Sequence, residues 1–188
     1  MRIITGMYKG RILKTVKDLS VRPATDRVKK TIFDVLENRM VLEGARVLDL
    51  FAGSGSLGIE ALSRGAAHVT FVETNAEALE FIERNIESLG CDNTTEILSQ
   101  DAMQFLRRSQ EHYDLIFADP PYAYDETPAI PAVIFQNGLL KKHGYLLIEH
   151  AASLDFLSNP LYDVGPFKKF GRTRVTFFQH PRPREASS

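Results

Sequence analysis

The tetrapeptide Asp119-Pro120-Pro121-Tyr122 has the residue types and order that most directly suggest chemistry in this chain. It follows the apolar run 115–118, and because proline lacks an N–H donor and fixes φ at about −65°, the prolines end a strand in a stiff loop. The loop offers a carboxylate, a backbone carbonyl and an aromatic face. The two oxygens can accept the N–H groups of a planar amine while Tyr122 stacks on its ring. A helix cap at Asp119 is the simpler alternative.

A second candidate site is the glycine-rich segment 47–58. Gly53 and Gly55 allow the backbone to pass close beneath a ligand, and the start of the following helix offers unpaired N–H groups. Residues 53–58 match the G-x-G-x-x-G pattern of dinucleotide-binding loops. The pattern alone is weak, because a tight strand-to-helix turn without a ligand can have the same glycines.

Three carboxylates accompany successive predicted strands. Glu73 ends the second strand, where an acid can accept both hydroxyls of a ribose. Asp101 follows the third strand, where it could bind an adenine amino group. Asp49 lies where a dinucleotide would place pyrophosphate, and a carboxylate suits an ammonium group better than a phosphate. The set favours S-adenosylmethionine over NAD, although each acid alone could be a helix cap or a surface charge.

A regular alternation of β-prone runs and helical patterns begins at Arg46 and must position these residues. This alternation predicts right-handed crossovers and a parallel sheet covered on both faces. The predicted strands are 46–50, 68–73, 94–98, 113–118, 144–150 and 174–179, and the predicted helices are 58–64, 76–89, 102–110 and 130–140. The turn at 171–172 is too short for a parallel crossover, which predicts an antiparallel hairpin of 161–170 with 173–179.

Two elements are predicted before this alternation. Residues 2–17 contain two short β-prone runs around a glycine-containing connection, which predicts a basic hairpin. The next segment has a helical period. Its apolar face is formed by Val28, Ile32, Val35 and Leu36.

Charge is distributed unevenly along the 188 residues, although the formal net charge is only −1. Residues 1–46 have a balance of +6, residues 47–164 of −12 and residues 165–188 of +5. Basic ends around an acidic middle favour a polyanionic partner such as nucleic acid, while a solvated charge run is the simpler explanation for either end alone.

Composition indicates one globular domain, with 44% hydrophobic residues. No apolar run approaches the roughly 20 residues that cross a bilayer, and the N-terminus lacks the apolar core of a signal peptide. The single Cys91 cannot form an internal disulfide, which favours a reducing cytoplasm. The five histidines are scattered without metal-ligand spacing, so no metal is expected.

Taken together, segment 49–55, Glu73, Asp101 and segment 119–122 resemble the class I, Rossmann-like methyltransferases that act on exocyclic amino groups. More closely, the segments 2–6, 22–28 and 174–175 resemble the RsmD family of bacterial guanine-N2 methyltransferases of small-subunit (16S) ribosomal RNA. The resemblance covers nearly the whole chain. It implies an α/β fold with a seven-stranded, mostly parallel sheet whose last strand is antiparallel. We expect a basic hairpin extension at 1–20, the methyltransferase domain at 21–180 and a flexible tail at 181–188.

The resemblance also implies roles for individual residues. Arg22 and Thr25 would lie near the methionine end of S-adenosylmethionine, Glu73 would bind its ribose and Asp101 its adenine. The expected cofactor-binding set is Arg22, Thr25, Asp49, Phe51, Ala52, Gly53, Ser54, Gly55, Glu73, Asp101 and Ala102. The expected catalytic residues are Asp119, Pro120 and Tyr122, acting on a guanine flipped out of its RNA.

The expected partner is ribosomal RNA within an assembling small subunit, bound by a monomer. The predicted RNA-binding residues are Arg2, Lys9, Arg11, Lys14, Lys17, Lys168, Lys169, Arg172 and Arg174.

A DNA adenine-N6 methyltransferase would use the same loop chemistry, and a protein glutamine-N5 methyltransferase would present an amide to it, usually with Asn in place of Asp119. An NAD-dependent oxidoreductase would satisfy the glycine pattern alone, and a catalytically silent RNA-binding module would fit the basic ends alone.

Overall fold

Helices and strands alternate through the part of the chain that the structure, a computed structural model, describes: residues 1–15 and 26–181. The helices are α1 (Asp26–Glu37), α2 (Ser56–Ser63), α3 (Ala76–Leu89), α4 (Ala102–Arg108) and α5 (Ile130–Gln136). The strands are β1 (Arg46–Leu50), β2 (His68–Glu73), β3 (Thr95–Ser99), β4 (Tyr113–Ala118), β5 (Leu140–Ala151), β6 (Asp163–Phe170) and β7 (Thr173–Gln179). Within these residues, no helix has both the length and the apolar composition needed to cross a membrane.

The seven strands form one sheet in the order β3-β2-β1-β4-β5-β7-β6. Strands β1 to β5 pair with one another in parallel, whereas β7 is antiparallel to both β5 and β6. The predicted seven-stranded, mostly parallel sheet with an antiparallel last strand is therefore confirmed. The strand order reverses between β1 and β4, which is the position where open α/β sheets bind their ligands.

Hydrophobic clusters cover both faces of the sheet. On one face, Phe33 of α1, Ile59 of α2 and Ile82 of α3 pack in the same cluster as the strand residue Phe71. On the other face, helices α4 and α5 pack against the sheet in a second cluster. Burial on both faces explains why the central strands have nearly continuous apolar sequences rather than an alternating pattern.

The boundary between α5 and β5 differs from the prediction. The sequence pattern predicts a helix as far as residue 140, but α5 ends at Gln136 and β5 begins at Leu140. Gly138 adopts a left-handed conformation with φ of 66°, which ends the helix and turns the chain toward the sheet. Leu139 and Leu140 continue the apolar pattern of α5, but they are buried beyond this turn.

The N-terminal arm, residues 1–15, folds back on itself and packs against α2. An antiparallel bridge joins Arg2 to Ile12, and this is the part of the predicted 2–17 hairpin that the described residues contain. Ile3 and Leu13 anchor the arm in the core. The buried carboxylate of Glu60 in α2 accepts hydrogen bonds from the backbone N–H groups of Ile4 and Thr5, at 2.8 and 3.0 Å.

Gly58 is needed for the close approach of α2 to β2, and we expect Gly58→Ala to destabilise the fold. A Cβ atom there would lie 2.4 Å from Phe71 Cε1 and 2.7 Å from Val69 Cγ1, closer than packed atoms allow. Overpacking of this kind costs about 1–3 kcal/mol, measurable as a lower urea midpoint. Alanine otherwise favours a helix by about 1 kcal/mol over glycine, so a stabilised variant would contradict the expected clash.

Candidate active site

A cavity of about 760 Å³ opens where β1, β2, β4 and β5 end. Its volume is suited to a small molecule or cofactor. Its walls include Asp49, Glu73, Asp101 and Asp119. The cavity thus brings the predicted cofactor acids and the predicted catalytic carboxylate together. Of the predicted cofactor-binding residues that the structure describes, all but Gly55 line it.

The glycine loop between β1 and α2 changes direction through left-handed backbone conformations. Gly53 and Gly55 have φ of 55° and 77°, and Phe51 has φ of 56° although it carries a side chain. A residue of this kind in the left-handed region costs about 1–3 kcal/mol and is retained where its surroundings hold it, commonly at ligand sites. The Phe51 ring packs edge-on against Tyr124, with ring centroids 5.0 Å apart. Gly55 is the N-cap residue of α2.

Glu73 connects the glycine loop to the segment that leads into α3. Its Oε2 accepts a hydrogen bond from Gly53 N–H at 2.8 Å, and its Oε1 accepts bonds from Thr74 and Asn75 N–H at 2.8 and 2.9 Å. The carboxylate is therefore fixed on the cavity wall. A carboxylate has roughly four acceptor positions, so these bonds leave capacity for a ligand hydroxyl.

Asp101 caps a helix and also lies on the cavity wall. Its Oδ1 caps α4 by accepting a hydrogen bond from Gln104 N–H at 2.9 Å, as the simpler alternative proposed. The side chain also lines the cavity, and the next residue, Ala102, is buried at the same wall. The cap uses one carboxylate oxygen and leaves the other for a ligand donor.

Asp49 lies beneath the loop at the end of β1 and is only 2% exposed. Its Oδ2 accepts a hydrogen bond from Gly58 N–H at 2.9 Å, which holds the start of α2. Burial raises the pKa of Asp49 to about 7; the bond from Gly58 opposes this shift and the Glu73 charge adds to it. A cationic ligand in the cavity would favour the ionised form of this carboxyl group.

The Asp119–Tyr122 loop contributes a further part of the cavity lining, and Asp119 N–H donates to Leu50 O of β1 at 3.3 Å. Asp119 directly follows β4 and lines the cavity, whereas Pro120 is buried and Tyr122 is 72% exposed at the rim. Burial raises the pKa of the Asp119 carboxyl group well above its usual range, and the charges of Glu149 and Asp49 raise it further. The exposed tyrosine ring is available for stacking.

The alternative of a helix cap at Asp119 is wrong. The next helical turn begins at Thr127, and its N-cap residue is Glu126. The backbone between them forms a turn in which Tyr124 N–H donates to Pro121 O at 2.8 Å. The loop therefore presents Asp119 to the cavity.

The charge of the cavity wall distinguishes between cofactor types. Six carboxylates line it: Asp49, Glu73, Asp101, Asp119, Asp125 and Glu149. Within residues 1–15 and 26–181, the lining includes no lysine or arginine. A pyrophosphate would meet the negative charge of these carboxylates here, whereas a cation is attracted. The residues fit S-adenosylmethionine, which carries an ammonium and a sulfonium group.

Two positions at the end of β5 escaped the sequence analysis. Glu149 and His150 both line the cavity. His150 is buried, and its Nε2 lies 2.7 Å from Thr176 Oγ1 on β7. The signal was present in the sequence, because the predicted strand 144–150 ends with an acid near its last position, as the second strand does at Glu73.

The predicted basic residues that the structure describes lie on two segments, and each segment contributes to the cavity wall. The N-terminal arm contributes Thr15 to the cavity wall, and β7 contributes Thr173 at the end of the β6–β7 hairpin. The exposed basic residues on these segments are Arg2, Lys9, Arg11, Lys14, Lys168, Lys169 and Arg172. Lys17, Arg22 and Thr25 lie outside the described residues.

Two of the predicted RNA-binding arginines have partners within the protein. Arg174 is half-buried, pairs with Asp155 at 2.9 Å and places its guanidinium 4.7 Å from the centre of the Phe167 ring. Arg11 donates from Nη2 to the backbone oxygen of Ser88 at 2.6 Å. The part of the chain that the structure describes contains no group of three or more histidine, cysteine, aspartate or glutamate side chains placed to hold a metal ion.

Comparison with known proteins gives extensive matches. A family model described as conserved hypothetical protein 95 matches residues 1–179. The YlbH protein of Bacillus subtilis (strain 168) is 39% identical over 184 residues, covering 95% of this chain and 98% of that protein. The ribosomal RNA small subunit methyltransferase D of Haemophilus influenzae is 36% identical over 152 residues, covering 79% of this chain and 78% of that enzyme.

A solved structure has the same fold along nearly the whole chain. The structure of the yhhF protein of Escherichia coli superposes with a TM-score of 0.83 at 30% identity. The match covers 96% of this chain and 97% of that one.

Proposed function

The chain belongs to the conserved hypothetical protein 95 family, which is the RsmD family, and on this premise we propose that it methylates the N2 amine of a guanine in small-subunit ribosomal RNA. The observation that carries the proposal is one cavity that joins the glycine loop and its acids to the Asp119–Tyr122 loop. The relatives from Haemophilus influenzae and Escherichia coli are named ribosomal RNA small subunit methyltransferase D, which supports this substrate class.

When bound, S-adenosylmethionine supplies an electrophilic methyl group on a sulfonium centre. The backbone of Gly53 and Ser54 and the ring of Phe51 form one wall of its site. Glu73 accepts hydrogen bonds from the ribose hydroxyls and Asp101 from the adenine amine. Asp49 would stabilise positive charge near the methionine end.

The Asp119–Tyr122 loop activates the guanine amine. The N2 lone pair is delocalised into the ring, which makes this amine a poor nucleophile. The carboxylate of Asp119 and the carbonyl of Pro120 accept its two N–H groups and turn the lone pair out of the ring plane. Because the pKa of Asp119 is raised, its carboxylate can also take the N2 proton that methylation releases. Positioning of this kind can lower the activation free energy by up to about 7–11 kcal/mol.

The guanine must be extruded from the stacked bases of its RNA before it can enter the cavity. Extrusion of a base costs a few kcal/mol, and stacking on an aromatic side chain returns about 1–3 kcal/mol. Tyr122, which lines the cavity and is 72% exposed, would make this contact. We infer that a monomer acts on an assembling small subunit, with residues 1–20 as a basic extension of the catalytic domain 21–180.

The basic residues beside the cavity are expected to contact RNA phosphates. Lys14 precedes Thr15 and Arg172 precedes Thr173, so each lies next to a residue of the cavity wall. Replacing either with alanine is expected to reduce the log–log slope of binding against salt by about 0.7–0.9. The measurement is a salt titration of RNA affinity. Lys142→Ala, an exposed change near the start of β5, is the matched control, and an unchanged slope in the Lys14 and Arg172 variants would contradict the assignment.

The test of the proposal is transfer of labelled methyl from S-adenosylmethionine to unmodified small-subunit ribosomal RNA, both naked and assembled, with DNA and protein substrates alongside. Digestion and identification of the labelled product then define the reaction. N2-methylguanosine is the expected product. Label in DNA adenine or in a protein glutamine would overturn the proposal in favour of the corresponding methyltransferase.

A further inference from the structure

Glu149 lies beside Asp119 at the carboxyl edge of the sheet. The parallel strands β4 and β5 pair Ala118 with Ile148, so the next residues along the two strands, Asp119 and Glu149, are neighbours. Both side chains line the same cavity. The base-binding loop therefore has a second carboxylate next to it that the mechanism above does not use.

The strand order divides the acids of the cavity between its two ends. Glu73 ends β2 and Asp101 comes shortly after β3, on one side of β1. Asp119 and Glu149 lie at the ends of β4 and β5, on the other side. In the proposed function, the first pair holds the nucleoside of the cofactor. Glu149 therefore belongs to the end of the cavity that receives the base.

The chemistry of the guanine edge determines what a carboxylate can do at this position. Guanine presents two adjacent donors on its Watson–Crick edge, the N1–H and the N2 amine, whereas 2-aminopurine has the same amine but a lone pair at N1. An ionised carboxylate only accepts hydrogen bonds. With Asp119 and the Pro120 carbonyl on the N2 protons, the N1–H still requires an acceptor on the same side of the base.

We propose that Glu149 accepts a hydrogen bond from the guanine N1–H and thereby makes the pocket select guanine over purines that have a 2-amino group but no N1 proton. This inference rests on the proposed function and adds the residue that reads the base. A purine with a lone pair at N1 would place that lone pair against the carboxylate, and the repulsion between two acceptors is unfavourable.

The electrostatics of the free protein agree with this assignment. Burial is the largest cause of the raised pKa of Asp119, and the charge of Glu149 is the second largest. Two neighbouring carboxylates repel each other, and such arrangements concentrate at functional sites. The guanine edge is the complementary ligand, because its adjacent N1–H and N2–H donors place partial positive charge between the two acids.

The experiment compares two RNA substrates that differ only at the target base, which carries guanine in one and 2-aminopurine in the other. Methyl transfer is measured as kcat/KM for the wild-type enzyme, Glu149→Gln and the control Asp125→Asn, which also exchanges a carboxylate of the cavity wall for an amide. The wild type is expected to prefer guanine by about 10- to 100-fold. The amide that Glu149→Gln introduces can donate to the N1 lone pair, so this preference should fall to within a few-fold of unity, whereas Asp125→Asn should keep it.

Three results would overturn the assignment. A wild-type enzyme that methylates 2-aminopurine as fast as guanine would remove the need for an N1–H acceptor. If the Glu149→Gln enzyme keeps the full preference for guanine, a group other than Glu149 must accept the hydrogen bond from N1–H. If the wild type methylates guanine at no position of the RNA, the proposed function itself fails and this inference fails with it. Glu149→Asp retains the acceptor on a shorter chain, so it should slow guanine methylation without gaining activity on 2-aminopurine.

Discussion

The Asp119→Ala enzyme is expected to bind S-adenosylmethionine with an affinity close to that of the wild type and to transfer methyl at least about 100-fold more slowly. Removing one preorganised electrostatic contact to a reacting group typically costs a factor of about 100–1,000. Asp119 follows β4, next to β1, and belongs to the proposed base-binding loop rather than to the glycine loop. Cofactor binding by calorimetry and single-turnover transfer to RNA measure the two effects separately.

Asp119→Asn is the matched control for this prediction. The amide keeps one acceptor for an N2–H group but cannot take a proton, so its rate should lie between those of the wild type and the alanine variant. A rate for Asp119→Ala within a few-fold of the wild type would contradict the mechanism. Loss of cofactor binding in the alanine variant would instead place Asp119 in the cofactor site.

The second large effect is expected on stability, at the ion network buried between the N-terminal arm, α1 and α2. Glu60 and Lys29 are fully buried, and Lys29 Nζ lies 3.3 Å from Glu60 Oε2. Arg64 approaches Glu60 Oε1 at 2.9 Å and also pairs with Glu37. Lys29 Nζ donates to the Arg2 backbone oxygen at 2.7 Å, which connects the arm to α1 as well.

Glu60→Ala is expected to reduce the free energy of unfolding by about 3–5 kcal/mol, because it leaves the Lys29 charge buried beside unpaired backbone N–H groups. Burial lowers the pKa of Lys29, and the Glu60 charge opposes this shift. Without Glu60 the lysine pKa falls further, so more of the lost stability should return at high pH. Urea unfolding at several pH values measures both effects.

The double variant Lys29→Met, Glu60→Gln provides the control, since it removes both charges while keeping an acceptor for the arm. It should be more stable than Glu60→Ala, because no uncompensated lysine charge remains in the core. A Glu60→Ala variant that unfolds within about 1 kcal/mol of the wild type would contradict the prediction.

Local sequence patterns predicted the central sheet well because buried parallel strands have continuous apolar runs. The bounds of β1, β2 and β4 agree with the prediction, and so do those of α3, which begins after the Asn75 cap and ends before Gly90. The error between α5 and β5 arose because the apolar period continues through Leu139 and Leu140. Gly138 was the local sequence signal for the left-handed turn that ends the helix before these two leucines.

Most of the features that could not be predicted from the sequence depend on partners that are distant along the chain. Lys29 is absent from the apolar face predicted for α1, but it is buried because Glu60, far along the chain, supplies the opposite charge. Arg174 is among the predicted RNA-binding residues, yet its partner Asp155 comes from another segment. The acids of the candidate site could be found because strand ends in a parallel sheet share one edge, and the same rule would have identified Glu149.

The position of β7 between β5 and β6 has a consequence for the order in which this protein can be built. The outer edge of β5 finds its partner only when Thr173–Gln179 have been synthesised, whereas β1, β2 and β3 pair as soon as they are made. In an emerging chain, the strands next to the glycine loop are therefore already paired, while the outer edge of β5 is still open and prone to aggregation. The half that carries Asp119 and Glu149 is completed last, so a nascent chain can pair the strands around its glycine loop before the strands that carry these two acids.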